Sequence, residues 1–166
     1  HLAEVERLAH QGGAAAARQF EQTVDQVANV LKYCKEHGVK VVPRGAGTSL
    51  SGGALPLEDG ILLGMGKFNK VLEVDYDNRC ARVQPGVTNI LNSKALEEDG
   101  FYYTSDPSSQ IACTIGGNVA ENSGGVHSLK YGLTTNNVLG VEMVTIDGEI
   151  LRIGGKHLDA EGYDLL

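Results

Sequence analysis

From Thr23 onward the chain takes on a helical period. Apolar residues at Val24, Val27, Ala28, Leu31 and Cys34 keep one face, and Gly38 ends the run. Thr23 stands where a capping hydroxyl is needed. The short apolar stretch 39–42 then predicts a strand, and 61–63 predicts a second, buried one. Residues 71–75 and 79–84 carry β-branched residues at alternate positions around Asp77-Asn78, the pattern of a hairpin. Thr88 opens a second helix that runs to Asp99 before Gly100. Residues 137–146 and 149–153 form another hairpin, with Asp147-Gly148 as a strong turn signal. Upstream, Leu2, Val5, Leu8 and Ala9 give residues 2–10 the period of a short amphipathic helix, and residues 11–17 read as a flexible join. Helix–strand alternation early and hairpins late predict an α+β fold, not a doubly wound sheet.

The stretch after the 39–42 strand carries the most chemical information. Pro43, Arg44, Gly45, Ala46, Gly47, Thr48, Ser49, Leu50, Ser51, Gly52, Gly53 and Ala54 are small apart from one leucine and one cation, and no carboxylate interrupts them. Residues this small leave main-chain N–H groups uncovered. Glycine also permits the positive φ that lets successive amides converge on an anion. The simpler reading is a surface turn, since Gly and Ser are ordinary loop residues. Two familiar phosphate motifs are excluded. The dinucleotide pattern starting at Gly45 and Gly47 meets Leu50 where its third glycine belongs. Gly66-Lys67 is followed by Phe68, which fails the P-loop.

A second glycine-rich block runs over residues 106–132. It contains Gly116-Gly117-Asn118 and Asn122-Ser123-Gly124-Gly125, so the backbone twice comes unusually close to something. Asn118 and Asn122 are four apart, on one side of a single helical turn, and each amide offers a donor and an acceptor. Such a long irregular segment is uncommon unless it binds something; the alternative is a wandering loop.

With both blocks in view, the chain resembles a family. PRGAGTSLSGGA followed by DPSS, TIGGNVAENSGG and LKYG is similar to the FAD-binding domain of the vanillyl-alcohol-oxidase type. Within it, the likeness is to the branch of the glycolate oxidase flavin subunit and the FAD-linked D-lactate and D-2-hydroxyacid dehydrogenases. It covers roughly residues 22–166, leaving 1–21 as an N-terminal helix and join. The resemblance implies a two-subdomain FAD-binding domain whose separate substrate domain is not in this chain. Both ends are expected to be cuts: the chain starts at His1 and stops at Gly-Tyr-Asp-Leu-Leu without a capping signal.

By that likeness Arg44, Gly45, Ala46, Gly47, Thr48 and Ser49 take the FAD pyrophosphate. Pro85, Gly86 and Val87, then Thr114, Ile115, Gly116, Gly117, Asn118, Ala120, Asn122, Gly124 and Gly125, run along the ribityl chain and flavin ring, and Pro43, Gly52, Asp106 and Pro107 are counted with them as cofactor-binding. Val141 closes over the pyrimidine end, and His127 is either a flavin neighbour or a structural hydrogen-bonder. Covalent family members often carry a histidine where this chain has Thr48, so noncovalent FAD is expected. Also implied are oxidation of a small 2-hydroxy acid, with hydride passing to flavin N5, and an iron–sulfur or other electron-transfer partner. A same-fold NADPH-dependent reductase of a sugar nucleotide and a non-catalytic flavin-binding subunit stand as alternatives. Glu121, Tyr131 and His127 are the ionisable residues beside the second block, and none is assigned as the catalytic base.

Composition sets bounds on this. A chain of 166 residues with 42% hydrophobic residues suffices for one domain burying about 70% of its extended surface. A net charge of −7 without a Lys/Arg cluster argues against nucleic acid. Anion binding must then come from local amides and Arg44. No apolar run approaches a membrane span, and no secretory leader opens the sequence. Cys34, Cys80 and Cys113 have neither metal-ligand nor disulfide spacing, so no metal is expected and a reducing cytoplasm is the simplest setting, with membrane attachment only through a partner. Cys34 is assigned to the core, and Cys113 to inert packing.

Overall fold

A computed structural model describes residues 17–20 and 23–156; the helix expected over residues 2–10 lies outside them. Strands β1 (Ala17–Phe20), β2 (Lys40–Arg44) and β3 (Gly60–Gly64) form a parallel sheet in the order β1-β3-β2, with Val41 opposite Ile61 and Arg44 opposite Gly64. Helix α1 (Val24–Glu36) makes the crossover from β1 to β2. Two antiparallel hairpins follow, β4 (Val71–Asp75) with β5 (Cys80–Val83) and β6 (Gly140–Val144) with β7 (Ile150–Gly154). Between them lie α2 (Asn89–Lys94), α3 (Ile115–Glu121) and the single turn α4 (Ser128–Tyr131). The architecture is the expected α+β. No described helix is long and apolar enough to cross a membrane.

Helix α1 starts where Thr23 predicts it. The Thr23 hydroxyl accepts from Gln26 N–H at 3.2 Å and the Gln26 side chain accepts from Thr23 N–H at 3.1 Å, so two orphan donors of the first turn are met. The Thr23→Ala substitution removes half of this reciprocal pair, and about 1 kcal/mol of stability is expected to go with it, read as a lower urea midpoint at unchanged slope. The inner face of α1 supplies Val27, Val30, Tyr33 and Cys34 to the core, where they meet Ile61, Leu63 and Phe68. Cys34 is fully buried, and that burial pushes its thiol pKa up, so it packs as a small hydrophobe. Cys113 is buried as well, and all three cysteines are free.

Two elements differ from expectation. Residues 11–17 read as joining chain, with the domain beginning near residue 22; instead β1 begins at Ala17 and pairs along its length with β3. The strand is legible only from its partner, because ARQF has no alternation and one strong β-former. The second helix stops at Lys94, and a 3₁₀ turn (Glu97–Asp99) carries the chain to Gly100, whose φ of 77° ends it. Leu96 C=O accepts from Phe101 N–H at 3.1 Å, which reverses the chain before a second α-turn can form.

The last hairpin is docked on α1 through its tip. Gly148 has φ 78°, and a Cβ there would lie 2.8 Å from Ala28 C=O, while Asp147 pairs with Lys35 of the helix. Asp147-Gly148 therefore serves the turn and the tertiary contact together.

Candidate functional site

Strands β2 and β3 are parallel neighbours, so the chain between them must travel the full length of the sheet and return. Residues 45–59 make that crossover without a helix. The glycine-rich loop is thus delivered at the C-terminal edge of β2, where open parallel sheets place their ligands. Its main-chain N–H groups are left unspent. Among the described residues, no main-chain N–H from residues 45–54 donates a hydrogen bond; the first that does is Leu55 N–H, to Gly52 C=O at 3.0 Å. The hydroxyls of Thr48, Ser49 and Ser51 likewise have no partner among the described residues.

Gly47 has φ 74° and Gly52 has φ 79°, conformations that turn successive amides toward a common side. The Arg44 guanidinium folds back over Gly47, so closely that a Cβ at 47 would collide with it. Among the described residues Arg44 has no ion pair, so its charge is available to a ligand. Arg44, Gly47, Ser49, Leu50, Gly52, Ala54 and Leu55 line a cavity of about 250 Å³. Leu50, Ala54 and Leu55 were not among the expected site residues. The sequence offered a signal for Leu50 and Leu55, two leucines among small loop residues, and both are largely exposed.

The structure brings the two glycine blocks together at one point. Thr114 precedes α3 and is buried. A Cβ on Gly45 would run into its hydroxyl, so only glycine at 45 admits this approach. That hydroxyl makes no capping bond and has no partner among the described residues. In the first turn of α3, Ile115 N–H bonds Val87 C=O, Gly116 N–H bonds Pro85 C=O at 2.9 Å, and Asn118 N–H bonds Thr114 C=O. Gly117 N–H is left over. Asn118 is 2% exposed and its side-chain NH₂ also lacks a described partner. A buried donor without an acceptor costs about 1–3 kcal/mol, so the buried Thr114 hydroxyl and Asn118 amide, with the half-buried Gly117 N–H between them, describe a place where acceptor atoms are supplied from outside. Donors of this kind next to a bare amide loop and a free guanidinium fit a dinucleotide phosphate with its attached polyol.

Several expected site residues hold the loops instead of facing the cavity. Gly86 lets Met65 and Phe68 carbonyls approach its Cα, Val87 is buried, and Pro85 lies under Gly116, whose Cβ would sit 2.6 Å from the Pro85 side chain. Gly124 makes room for Leu133 and Ser128, and Gly125 for the Asp106 carbonyl. Asn122 leaves the helix at φ 51°, and its side-chain oxygen accepts from Thr135 N–H at 2.9 Å and from the Thr135 hydroxyl. The expected shared face of Asn118 and Asn122 is therefore not formed. Pro107 is buried beside Asp106, Ile115 is half-buried, Ala120 is exposed, and Val141 is half-buried in β6 opposite Ile153.

His127 and Asp106 form a pair. One Asp106 oxygen accepts from His127 N–H at 3.2 Å and the other from Nδ1 at 2.7 Å. Partial burial works to raise the Asp106 pKa, but the His127 hydrogen bonds outweigh it and hold the carboxyl below its ordinary value.

Comparison with known proteins agrees with this geometry. The family model described as FAD binding domain matches residues 16–154. The glycolate oxidase subunit GlcD of Escherichia coli K12 is 57% identical over 143 residues, 86% of this chain and 29% of that protein. The Bacillus subtilis subunit of the same name is 47% identical over 87% of this chain and 31% of its own length. A D-lactate dehydrogenase of Archaeoglobus fulgidus is 43% identical over 86% and 32%. Among solved structures, alkyldihydroxyacetonephosphate synthase superposes with a TM-score of 0.74 at 26% identity, over 89% of this chain and 29% of that one. The chain thus spans about a third or less of the length of the curated relatives it matches.

Proposed function

Since this chain belongs to the FAD binding domain family, with FAD as its cofactor, we propose that it is the cofactor-holding part of an oxidoreductase acting on small 2-hydroxy acids. The observation that carries the cofactor's placement is the meeting of unspent donors: the amides of residues 45–54, the Arg44 guanidinium, and the Thr114 hydroxyl wedged against Gly45. The names of the relatives support the substrate class, glycolate in the bacterial subunits and D-lactate in the archaeal enzyme.

The loop after β2 holds the diphosphate by main-chain N–H groups and Arg44. Hydrogen bonds to a charged group are worth about 1.5–3 kcal/mol each, so several suffice without a covalent link. Thr48 stands where a covalent attachment would need a nucleophilic ring nitrogen, and its hydroxyl supports noncovalent binding. Thr114, Gly117 N–H and the Asn118 amide supply donors to the ribityl and ring portion. Preorganised donors of this kind favour negative charge that develops beside them, which eases reduction. When bound, FAD would supply the two-electron acceptor needed to oxidise a 2-hydroxy acid. Electrons then pass to a partner protein or external acceptor, in keeping with relatives named as subunits.

An absorbance titration tests the proposal. The full-length, flavin-loaded protein that contains this chain, mixed anaerobically with D- and L-forms of lactate, and with glycolate, is expected to lose its oxidised flavin band with at least one of them. Bleaching by NADPH with none by any 2-hydroxy acid overturns the substrate class in favour of a reductase. A colourless protein that ignores added FAD overturns the cofactor site.

A further inference from the structure

Helices α2 and α3 meet at their first turns, and each entry satisfies the other. The first N–H groups of a helix have no partner within it. In α2, Asn89 N–H donates to Cys113 C=O at 3.0 Å and Ile90 N–H to Gln110 C=O at 3.1 Å, so both go to the chain leading into α3. In return Ile115 N–H donates to Val87 C=O at 2.9 Å, and Thr88 forms a bridge with Thr114. Residues 85–89 therefore place Thr114, whose hydroxyl meets Gly45. Asn89 adds a side-chain tie. It is 0% exposed, and its Nδ2 donates to Ser105 C=O at 2.7 Å. Ser105, itself buried, passes the tie on. Its hydroxyl donates to Ser123 C=O at 3.2 Å, and Ser123 N–H donates to Asn118 C=O at 2.9 Å. The entry of α3 is thus held through the Asn89 main chain, and its last turn through the Asn89 side chain. Asn89 Oδ1 is buried without a donor among the described residues. A leucine of similar size would fill the space with no orphaned oxygen, so packing does not account for an amide here.

We propose that Asn89 is a positioning residue of the cofactor site, holding α3 so that the Thr114 hydroxyl, Gly117 N–H and Asn118 NH₂ stand where the flavin nucleotide meets them. This rests on the placement of FAD proposed above. Asn89 is fully buried, so it acts through α3 and not by touching the ligand. Buried hydrogen bonds fix the direction and the distance between two segments of chain, whereas an apolar contact leaves them free to slide. Binding groups need to be held within about 0.5 Å of their productive geometry, and such bonds are what hold them. Displacement is felt at once here. Thr114 lies against Gly45 with no room for a Cβ between them, so a shift of the α3 entry also moves the loop after β2.

Titration of FAD into the flavin-free form of the full-length protein that contains this chain, followed by flavin fluorescence, reads the effect. Asn89→Leu is expected to weaken binding about tenfold, and Thr114→Val likewise. The double variant should lose about ten- to thirtyfold and not the product of about a hundredfold, because the first change already displaces the group that the second removes. Thr23→Ala lowers stability without touching this frame and should keep the parent's affinity within about twofold, so lost stability alone does not mimic the result. The visible circular dichroism of bound flavin is expected to change in Asn89→Leu and not in Thr23→Ala. Should Asn89→Leu not fold, Asn89→Ser, too short to reach Ser105 C=O, carries the same comparison. Parent affinity in a folded Asn89 variant, or a loss of about a hundredfold in the double variant, overturns the positioning role. Failure of the underlying placement looks different: Thr114→Val and Gly47→Val both bind FAD like the parent, which removes the cofactor from this meeting of loops.

Discussion

Gly47→Val is expected to leave the protein folded and strip it of flavin. Two costs act together at this position. Gly47 sits at φ 74°, where a residue with Cβ is strained by about 1–2 kcal/mol and a β-branched one by more. The new Cβ also falls on the Arg44 guanidinium, and the side chain must swing out of the loop to clear it. The protein then loses its one local cation at the diphosphate along with the convergent amides. Losing one charged hydrogen bond and the loop geometry amounts to about 3–4 kcal/mol, or several hundred-fold in FAD affinity. The fold is spared because the loop makes one internal main-chain bond and stands outside the cluster of α1, β3 and Phe68. Gly53→Ala is the matched control. Gly53 has no positive φ and nothing within 4 Å of a Cβ, so the protein should retain its full flavin content. Equal flavin-to-protein ratios in the two variants, measured after gel filtration, would remove the phosphate assignment from this loop.

Much of the architecture was legible because local and tertiary demands coincide. Thr23 and Gln26 cap α1 in sequence and in space, and Asp147-Gly148 turns a hairpin that also needs a glycine against Ala28. Strand β1 was illegible because its stability comes from β3, whose Ile61, Leu62 and Leu63 are buried whether or not the neighbour has a strand-like sequence. Asn122 was misread for a related reason. Spacing of four promised a shared helical face, but Thr135 draws its oxygen away and the residue takes a left-handed turn. Glycines proved readable as close approaches but not as to what approaches. At Gly45 it is the ligand-side Thr114, at Gly86 the Phe68 carbonyl, and at Gly125 the Asp106 backbone. Sequence marks the need for a missing Cβ, and only the fold decides which neighbour requires it.

Gly125→Ala should be the most disruptive single-methyl change in the second half of the molecule. A Cβ at this position collides with the Asp106 carbonyl, a main-chain atom that cannot rotate away. The two strands of chain it would force apart are cross-linked many times over. Ser105 and Thr134, both buried, donate their hydroxyls to Ser123 C=O, and His127 holds Asp106 by two bonds. Little apolar burial is available here to absorb the shift, since Val87, Leu96 and Cys113 are the buried hydrophobics among described residues beyond Phe68. Polar networks tolerate displacement poorly, because each stretched bond leaves a buried group unmet. The expected loss is about 3 kcal/mol, at the upper end of overpacking costs, read as a lower urea midpoint. Gly66→Ala adds the same methyl where nothing lies within 4 Å and should stay within about 0.5 kcal/mol. A variant as stable as Gly66→Ala would mean that the contact between residues 106 and 125 is not a constraint on this fold.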